Sequence, residues 1–337
     1  GLVSGPLSDR AGRRRMMLAG CAMLAGGMLL GGALSVYWAI LLALFLAGLG
    51  KVFFDPALLS YIGDWVPYEK RGRAFGLSEF AWAGSLLVGV PLVALLINQL
   101  GWRSPFFLLG GAGLLSAAAV LIWFPRDPPA GRRSGIAAGL WRGWRRLSQE
   151  PAALYALAFG LLLSGANHSL FVVYGVWLED AYGLSIVALG ATSLVLGLGD
   201  LSGEALTATI SDRLGLKRAV MIGSVALVLS YLILPVLGRS LVGALACLFI
   251  VFLTFEFTVV TNSSFVVGVL PGARATMLSS LLAAASVGRM IGVLVGGLVW
   301  LAGGLMANAL FAAAIAALAV VCFAWGFRSW HSDPQEA

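Results

Sequence analysis

The chain has 337 residues, 60% of them apolar and only 11% charged, with 44 glycines and a formal net charge of +7. A soluble domain carries about 25% charged residues, so this composition excludes a water-soluble globular protein. It suits a chain solvated by lipid.

A helix crosses a hydrocarbon core about 30 Å thick with about 20 apolar residues, at a rise of about 1.5 Å each. Ten runs meet that requirement: residues 16–36, 38–62, 74–99, 104–124, 152–177, 185–210, 219–237, 241–269, 276–302 and 305–327. Period-two alternation is absent, which argues against a β-barrel. The expected fold is therefore all-α and polytopic. Cys21, Cys247 and Cys322 all fall inside apolar runs without CxxC spacing, so neither a disulfide framework nor a metal site is expected.

In chain order, the first loop reads Gly5-Pro-Leu-Ser-Asp9-Arg10-Ala-Gly12-Arg13-Arg14. Gly5 permits close helix approach, Asp9 can face helix N-termini, and the arginines can reach carboxylates or lipid phosphates. In the second span, Lys51 and Asp55 stand i,i+4 and can neutralise one another. Asp64 closes that span. Residues 125–150 are rich in proline and charge and divide four spans from six. Inside this stretch Leu140, Trp141, Trp144 and Leu147 share one helical face and Arg142, Arg145 and Arg146 another, the pattern of a helix lying in the headgroup plane.

The second half carries the remaining intramembrane polar groups. Asn167 and His168 lie in the fifth span, Asp200 and Glu204 stand i,i+4 in the sixth, and Glu256 and Arg289 lie near the middle of the eighth and ninth. Charge in hydrocarbon is costly and marks pathways. Paired acids on one face suit a proton carrier, and Glu256 and Arg289 have the signs to pair. Gly288, Gly292 and Gly296 form a close-packing face. Gly197-Leu-Gly199-Asp200 matches the Gly-x-Gly-Asp of intramembrane aspartyl proteases. The second catalytic aspartate of such enzymes usually follows a tyrosine, and no Tyr-Asp occurs here. No cofactor, metal or phosphate-binding motif is present, and we expect no enzyme.

Of the 22 basic residues, 18 fall in alternate connections. These are Arg10 and Arg13 to Arg15, then Lys70, Arg71 and Arg73, then six arginines from Arg126 to Arg146, then Arg213, Lys217 and Arg218, then Arg274, then Arg328. Basic loops mark the cytoplasmic side, so loop 125–150 and the C-terminus are expected there, in a multi-pass protein of the cytoplasmic membrane. Cations scattered this way do not form a nucleic-acid surface.

A shift of 203 residues lays Asp9-Arg10-Ala-Gly12 on Asp212-Arg213-Leu-Gly215, Arg71 on Arg274, Gly89 on Gly292 and Gly101 on Gly304. Two copies of one helical unit run in the same sense, as in two-halved transporters. The second copy has two spans before its Asp-Arg-x-Gly loop and the first has none. The expectation is a parent of twelve spans, of which ten are present here.

The Gly5–Arg14 loop resembles the signature loop of the major facilitator superfamily, and Ala208–Arg218 resembles its degenerate second copy. Pro67-Tyr-Glu-Lys-Arg71-Gly-Arg73-Ala-Phe-Gly76 and Gly101-Trp102-Arg103 are similar to the bacterial drug- and sugar-efflux branch. That branch often carries an arginine four residues before a Gly-x-Gly, where Leu44 precedes Gly48-Leu-Gly50. Its Gly-Pro signature appears here as Gly84, Gly89 and Pro91.

The resemblance implies a two-bundle fold, with an N-terminal remnant over 1–124, the linker over 125–150, a six-helix bundle over 151–328 and a tail over 329–337. It implies a conformational latch built from Gly5, Asp9, Arg10, Gly12, Arg13, Arg14, Asp64, Asp212 and Arg213. It places Lys51, Asp55, Asn167, His168 and Glu256 on cavity-lining helices. With Asp200, Glu204 and Arg289 they are the candidates for substrate contact or proton coupling. The function implied is secondary transport of a small organic solute, driven by protons in the efflux direction, by a monomer among membrane lipids. A proton-coupled uptake symporter, or a non-transporting receptor or assembly protein of the same shape, would share these features.

Overall fold

The computed structural model describes residues 12–34, 36–65, 84–124, 145, 147–270 and 274–328. Among the described residues every regular element is helical. In the first part of the chain these are α1 (Arg13–Leu34), α2 (Tyr37–Trp65), a π-helical turn (Ser85–Gly89) running into α3 (Val90–Leu100), and α4 (Ser104–Trp123). The second part has α5 (Pro151–Phe171), α6 (Tyr174–Tyr182), α7 (Ile186–Leu214), α8 (Leu216–Leu237) and α9 (Leu241–Val267).

The stretch Arg274–Gly326 is broken at Gly303 and Gly304, where φ/ψ leaves the helical region. The Asn308 amide donates to Gly296 O at 3.1 Å. Twelve residues along a straight helix would separate these groups by about 18 Å, so the chain reverses at the two glycines. We call the halves α10 (residues 274–302) and α11 (residues 305–326).

Eight of these stretches are long and apolar enough to cross a bilayer, and residues 276–326 are long enough to cross twice. Their outward residues are those of a lipid-facing surface. Leu294, Leu298 and Leu301 on α10 and Leu115, Ile122 and Trp123 on α4 are all well exposed. Several buried hydroxyls are satisfied within their own helix. Thr258 donates to Thr254 O at 2.6 Å and Ser224 to Val220 O at 2.6 Å, the i−4 back-bond open to Ser and Thr in a helix.

The residues fall into two compact units, Gly1–Ala137 and Ala138–Ala337. In the first, α1 packs along α2 and α4. A Cβ at Gly20 would stand 2.6 Å from Gly50 O and 3.0 Å from Phe54 Cβ, so only glycine allows α1 and α2 to meet so closely. Arg14, assigned to the latch by the sequence, sends Nη2 to Leu121 O at 2.6 Å. It binds the last turn of α4, where unpaired carbonyls and the negative end of the helix dipole favour a cation.

In the second unit α5 packs along the α10–α11 hairpin, and α9 packs on α7 and α8. The glycine stripe of α10 is that first interface. A methyl on Gly288, Gly292 or Gly296 would strike the backbone of Leu161, Gly165 or Ser169. Asn308, fully buried, reaches across the end of the stripe to Ser169 O at 3.0 Å as well as to Gly296 O.

Three local features depart from the sequence reading. The span over 152–177 is not one helix. Val173 N–H closes back on Leu170 O at 3.0 Å, a tighter ring than the α type, and the helix restarts at Tyr174. Ahead of Pro91, Val90 N–H donates to Ser85 O, a π-type i,i−5 bond. Proline has no N–H for the preceding turn, and a π bulge absorbs the defect. On the linker, Leu147 is buried in the same core as Ala153 and Phe159, so at this residue the apolar face meets protein rather than lipid. Leu140, Trp141 and Trp144 lie outside the described residues.

The repeat is written in the backbone. Gly12 and Gly215 have φ of 92° and 80°, and Gly101 and Gly304 have 84° and 61°. Both pairs are 203 residues apart. Only glycine enters this left-handed region without strain, which gives the sequence coincidences a conformational cause.

Candidate functional site

The charged residues of the second unit converge through close packing of α7 on α9. A Cβ at Gly199 would stand 2.9 Å from Phe249 O. One at Gly203 would stand 2.6 Å from Leu253 O and 3.0 Å from Glu256 Cβ. These glycines bracket Asp200, and Gly203 precedes Glu204, so the approach that needs them brings this stretch of α7 to Glu256. Asp200 is within electrostatic reach of Glu204 and Glu256. It is 7% exposed, and its Oδ1 has no hydrogen-bond partner among the described residues. Arg289 of α10 is within reach of Glu256, and His168 of α5 within reach of Arg289. Four helices thus contribute to one polar layer.

His168 is half-buried. Its Nδ1 lies 3.0 Å from Ser164 O, and because a carbonyl can only accept, Nδ1 carries the proton. Its neighbour Asn167 turns the other way. Asn167 is 2% exposed and accepts from the fully buried Tyr231 hydroxyl at 3.1 Å, fixing α5 to α8. This bond gives Asn167 an architectural contact, whereas His168 keeps a face open.

Lys51 and Asp55 do form the ion pair expected, Nζ to Oδ2 at 2.7 Å on α2. Both side chains stay about half exposed beside Pro56, which lies within the helix. Of the latch residues, Gly12 enters α1 in the left-handed conformation, and Arg213 is exposed at the last turn of α7. Asp64 and Asp212 fall on α2 and α7 with only their backbone described. Gly5, Asp9 and Arg10 lie outside the described residues.

The sequence reading missed an aromatic cluster beside His168. Its ring lies 5.8 Å from Phe171 and 6.3 Å from Phe255, and Phe171 lies 5.5 Å from Tyr174 and 6.0 Å from Phe252. The available signal was the i, i+3, i+4 spacing of Phe252, Phe255 and Glu256 on one helix.

The sequence of residues 1–282 matches the family model described as Major Facilitator Superfamily. The chain belongs to this superfamily. It is similar to the uncharacterized MFS-type transporter YceJ of Bacillus subtilis (strain 168), 28% identical over 88% of this chain and 75% of that protein. It is also similar to a chloramphenicol resistance protein of Streptomyces lividans, 27% identical over 54% of this chain and 46% of that one. Among solved structures it resembles a mutant form of the nucleoside transporter NupG, with a TM-score of 0.75 and 15% identity over 97% of this chain and 86% of the other. That likeness shows the fold alone, and the family match makes the chain a multi-pass membrane transporter of this superfamily.

Proposed function

We propose that this protein is a secondary active transporter that exports a small organic solute from the cytoplasm in exchange for protons, by alternating access, across the cytoplasmic membrane. One observation carries the reading: Asp200, Glu204 and Glu256 meet in one layer with Arg289. Asp200 is buried, its Oδ1 has no hydrogen-bond partner among the described residues, and two further carboxyl groups stand within its electrostatic reach. Clustered acids in a low-dielectric layer can take up and release protons, which is what a proton-coupled carrier has to do reversibly. The basic loops orient the chain with Arg14 and Arg213 at the cytoplasmic side. Export is favoured over uptake by the efflux-type loops at 67–76 and 101–103. The similarity to a chloramphenicol resistance protein points the same way.

Asp9, Arg10 and Arg13 belong in this scheme to a cytoplasmic latch, with Asp64. Arg14 anchors it by gripping the end of α4. Asp9→Asn is expected to slow turnover without abolishing solute binding, and unchanged turnover would remove the latch.

The test of the whole reading uses the protein reconstituted in vesicles with an imposed pH gradient. Chloramphenicol, sugar acids and nucleosides are supplied in turn. A solute that moves against its gradient while protons run down theirs, in opposite directions, supports antiport. Co-directional movement would make the protein a symporter. No movement of any solute would leave a non-transporting member of the superfamily.

A further inference from the structure

His168 and the aromatic rings around it do something the carboxyl layer does not require. Neutral His168, with Nδ1–H committed to Ser164 O, has a single remaining polar atom, the lone pair of Nε2. Among the described residues Nε2 has no hydrogen-bond partner. A half-buried acceptor inside a membrane span is costly unless something donates to it.

Its surroundings limit what that donor can be. Phe171 and Tyr174 are half-buried at the break between α5 and α6, and Phe252 and Phe255 lie buried behind them on α9. The four rings and the imidazole are linked in tilted or edge-to-face pairs, with centroids 5.5 to 6.3 Å apart. Such a wall offers ring edges and faces to a flat π-system. Arg289 and Glu256 are partly exposed with His168, and a surface carrying all three cannot be turned to lipid. It requires water or another polar surface against it. Further along the same three helices, Ser164, Asn262 and Leu281 line a cavity of about 30 Å³, room for about one water.

Resting on the transport reading above, we propose that His168, Phe171 and Tyr174, backed by the buried rings of Phe252 and Phe255, form the solute-contacting wall of the second unit. The wall selects flat aromatic or heteroaromatic molecules that carry an N–H or O–H donor. The donor meets Nε2 of His168 and the ring packs against Phe171 and Tyr174. His168 is then a specificity-determining residue, while the carboxyl layer beside it handles protons.

The test uses two fluorescent probes, 7-aminocoumarin and 7-dimethylaminocoumarin, in which two methyl groups replace the N–H donors, titrated against the reconstituted protein. The amino compound is expected to bind about tenfold tighter, the worth of one well-placed hydrogen bond. In His168→Phe, which keeps a ring and loses the acceptor, that preference should vanish while the dimethylamino compound binds as before. In Phe171→Leu both probes should weaken by a similar factor, leaving the preference intact. Equal binding of the two probes to the unaltered protein overturns the proposal, as does failure of both to bind. So does a preference that survives His168→Phe. If His168→Phe does not fold, the comparison of probes on the unaltered protein still decides. Solute-driven proton movement is read in the same vesicles. Absence of probe discrimination in the unaltered protein, with proton movement intact, overturns this inference alone, and absence of proton movement overturns the transport reading.

Discussion

The two copies of the repeat share a scaffold and differ in chemistry. Gly20 against Phe54 and Gly223 against Phe257 are the same contact 203 residues apart. The left-handed glycines of the helix-entry turns are paired the same way. The polar groups do not follow. Lys51 and Asp55 of α2 correspond to Thr254 and Thr258 of α9, which are buried and spend their hydroxyls on their own helix. Glu256 corresponds to Phe53 and Arg289 to Leu86. The first copy neutralises its charge locally, in an i,i+4 pair. The second spreads three acids and one base over three helices, so their balance depends on how those helices pack. A balance of that kind can change during a transport cycle, whereas a pair one turn apart on one helix moves as a unit.

The largest effect in breaking this comparison is expected from the packing that assembles the second copy. Gly292→Leu would drive a side chain into the Gly165 backbone. It should cost several kcal/mol, in the range of severe overpacking, and remove most folded protein from detergent extracts read by size-exclusion chromatography. Gly203→Val should be nearly as damaging and should part Asp200 from Glu256. A folded Gly203→Val variant with normal proton coupling would separate the carboxyl layer from the helix approach credited with building it.

Smaller effects come from the shared turns. Gly215→Ala and Gly12→Ala place a side chain at positive φ and should each cost about 1–2 kcal/mol, read as a loss of thermal stability in detergent. Similar losses are expected if the repeat is conformational, and a neutral change at one site alone would break the equivalence. Smallest is Tyr231→Phe, which removes the bond to Asn167. Interhelical hydrogen bonds in membranes average about 0.6 kcal/mol, so a fall in melting temperature of a degree or two is expected, with solute binding unchanged. A large change in solute binding would return Asn167 to the binding site.

Much of this was legible in the sequence, because lipid imposes simple rules. Spans were visible as apolar runs, and the offset of 203 already tied Gly12 to Gly215 and Gly101 to Gly304. The pairing of Lys51 with Asp55 followed from spacing on one helix. What spacing could not supply was anything that depends on a neighbouring helix. Asn167 and His168 are adjacent in sequence, yet one is locked against Tyr231 and the other faces outward. Arg14 read as a lipid or carboxylate partner because the carbonyls it grips belong to α4, over a hundred residues away. The break at Val172 and Val173 had no Gly or Pro to announce it. The ring cluster around His168 draws on α5, α6 and α9 together, so only half its signal was local.

The measurement that bears most directly on the division of labour between the copies is the number of protons moved per solute in reconstituted vesicles. It is compared for Glu256→Gln and for the double variant Lys51→Gln, Asp55→Asn. The account predicts that Glu256→Gln abolishes proton movement while solute exchange persists, and that the double variant keeps the unaltered ratio. Proton movement that survives Glu256→Gln and disappears in the double variant would place coupling in the first copy and contradict the account.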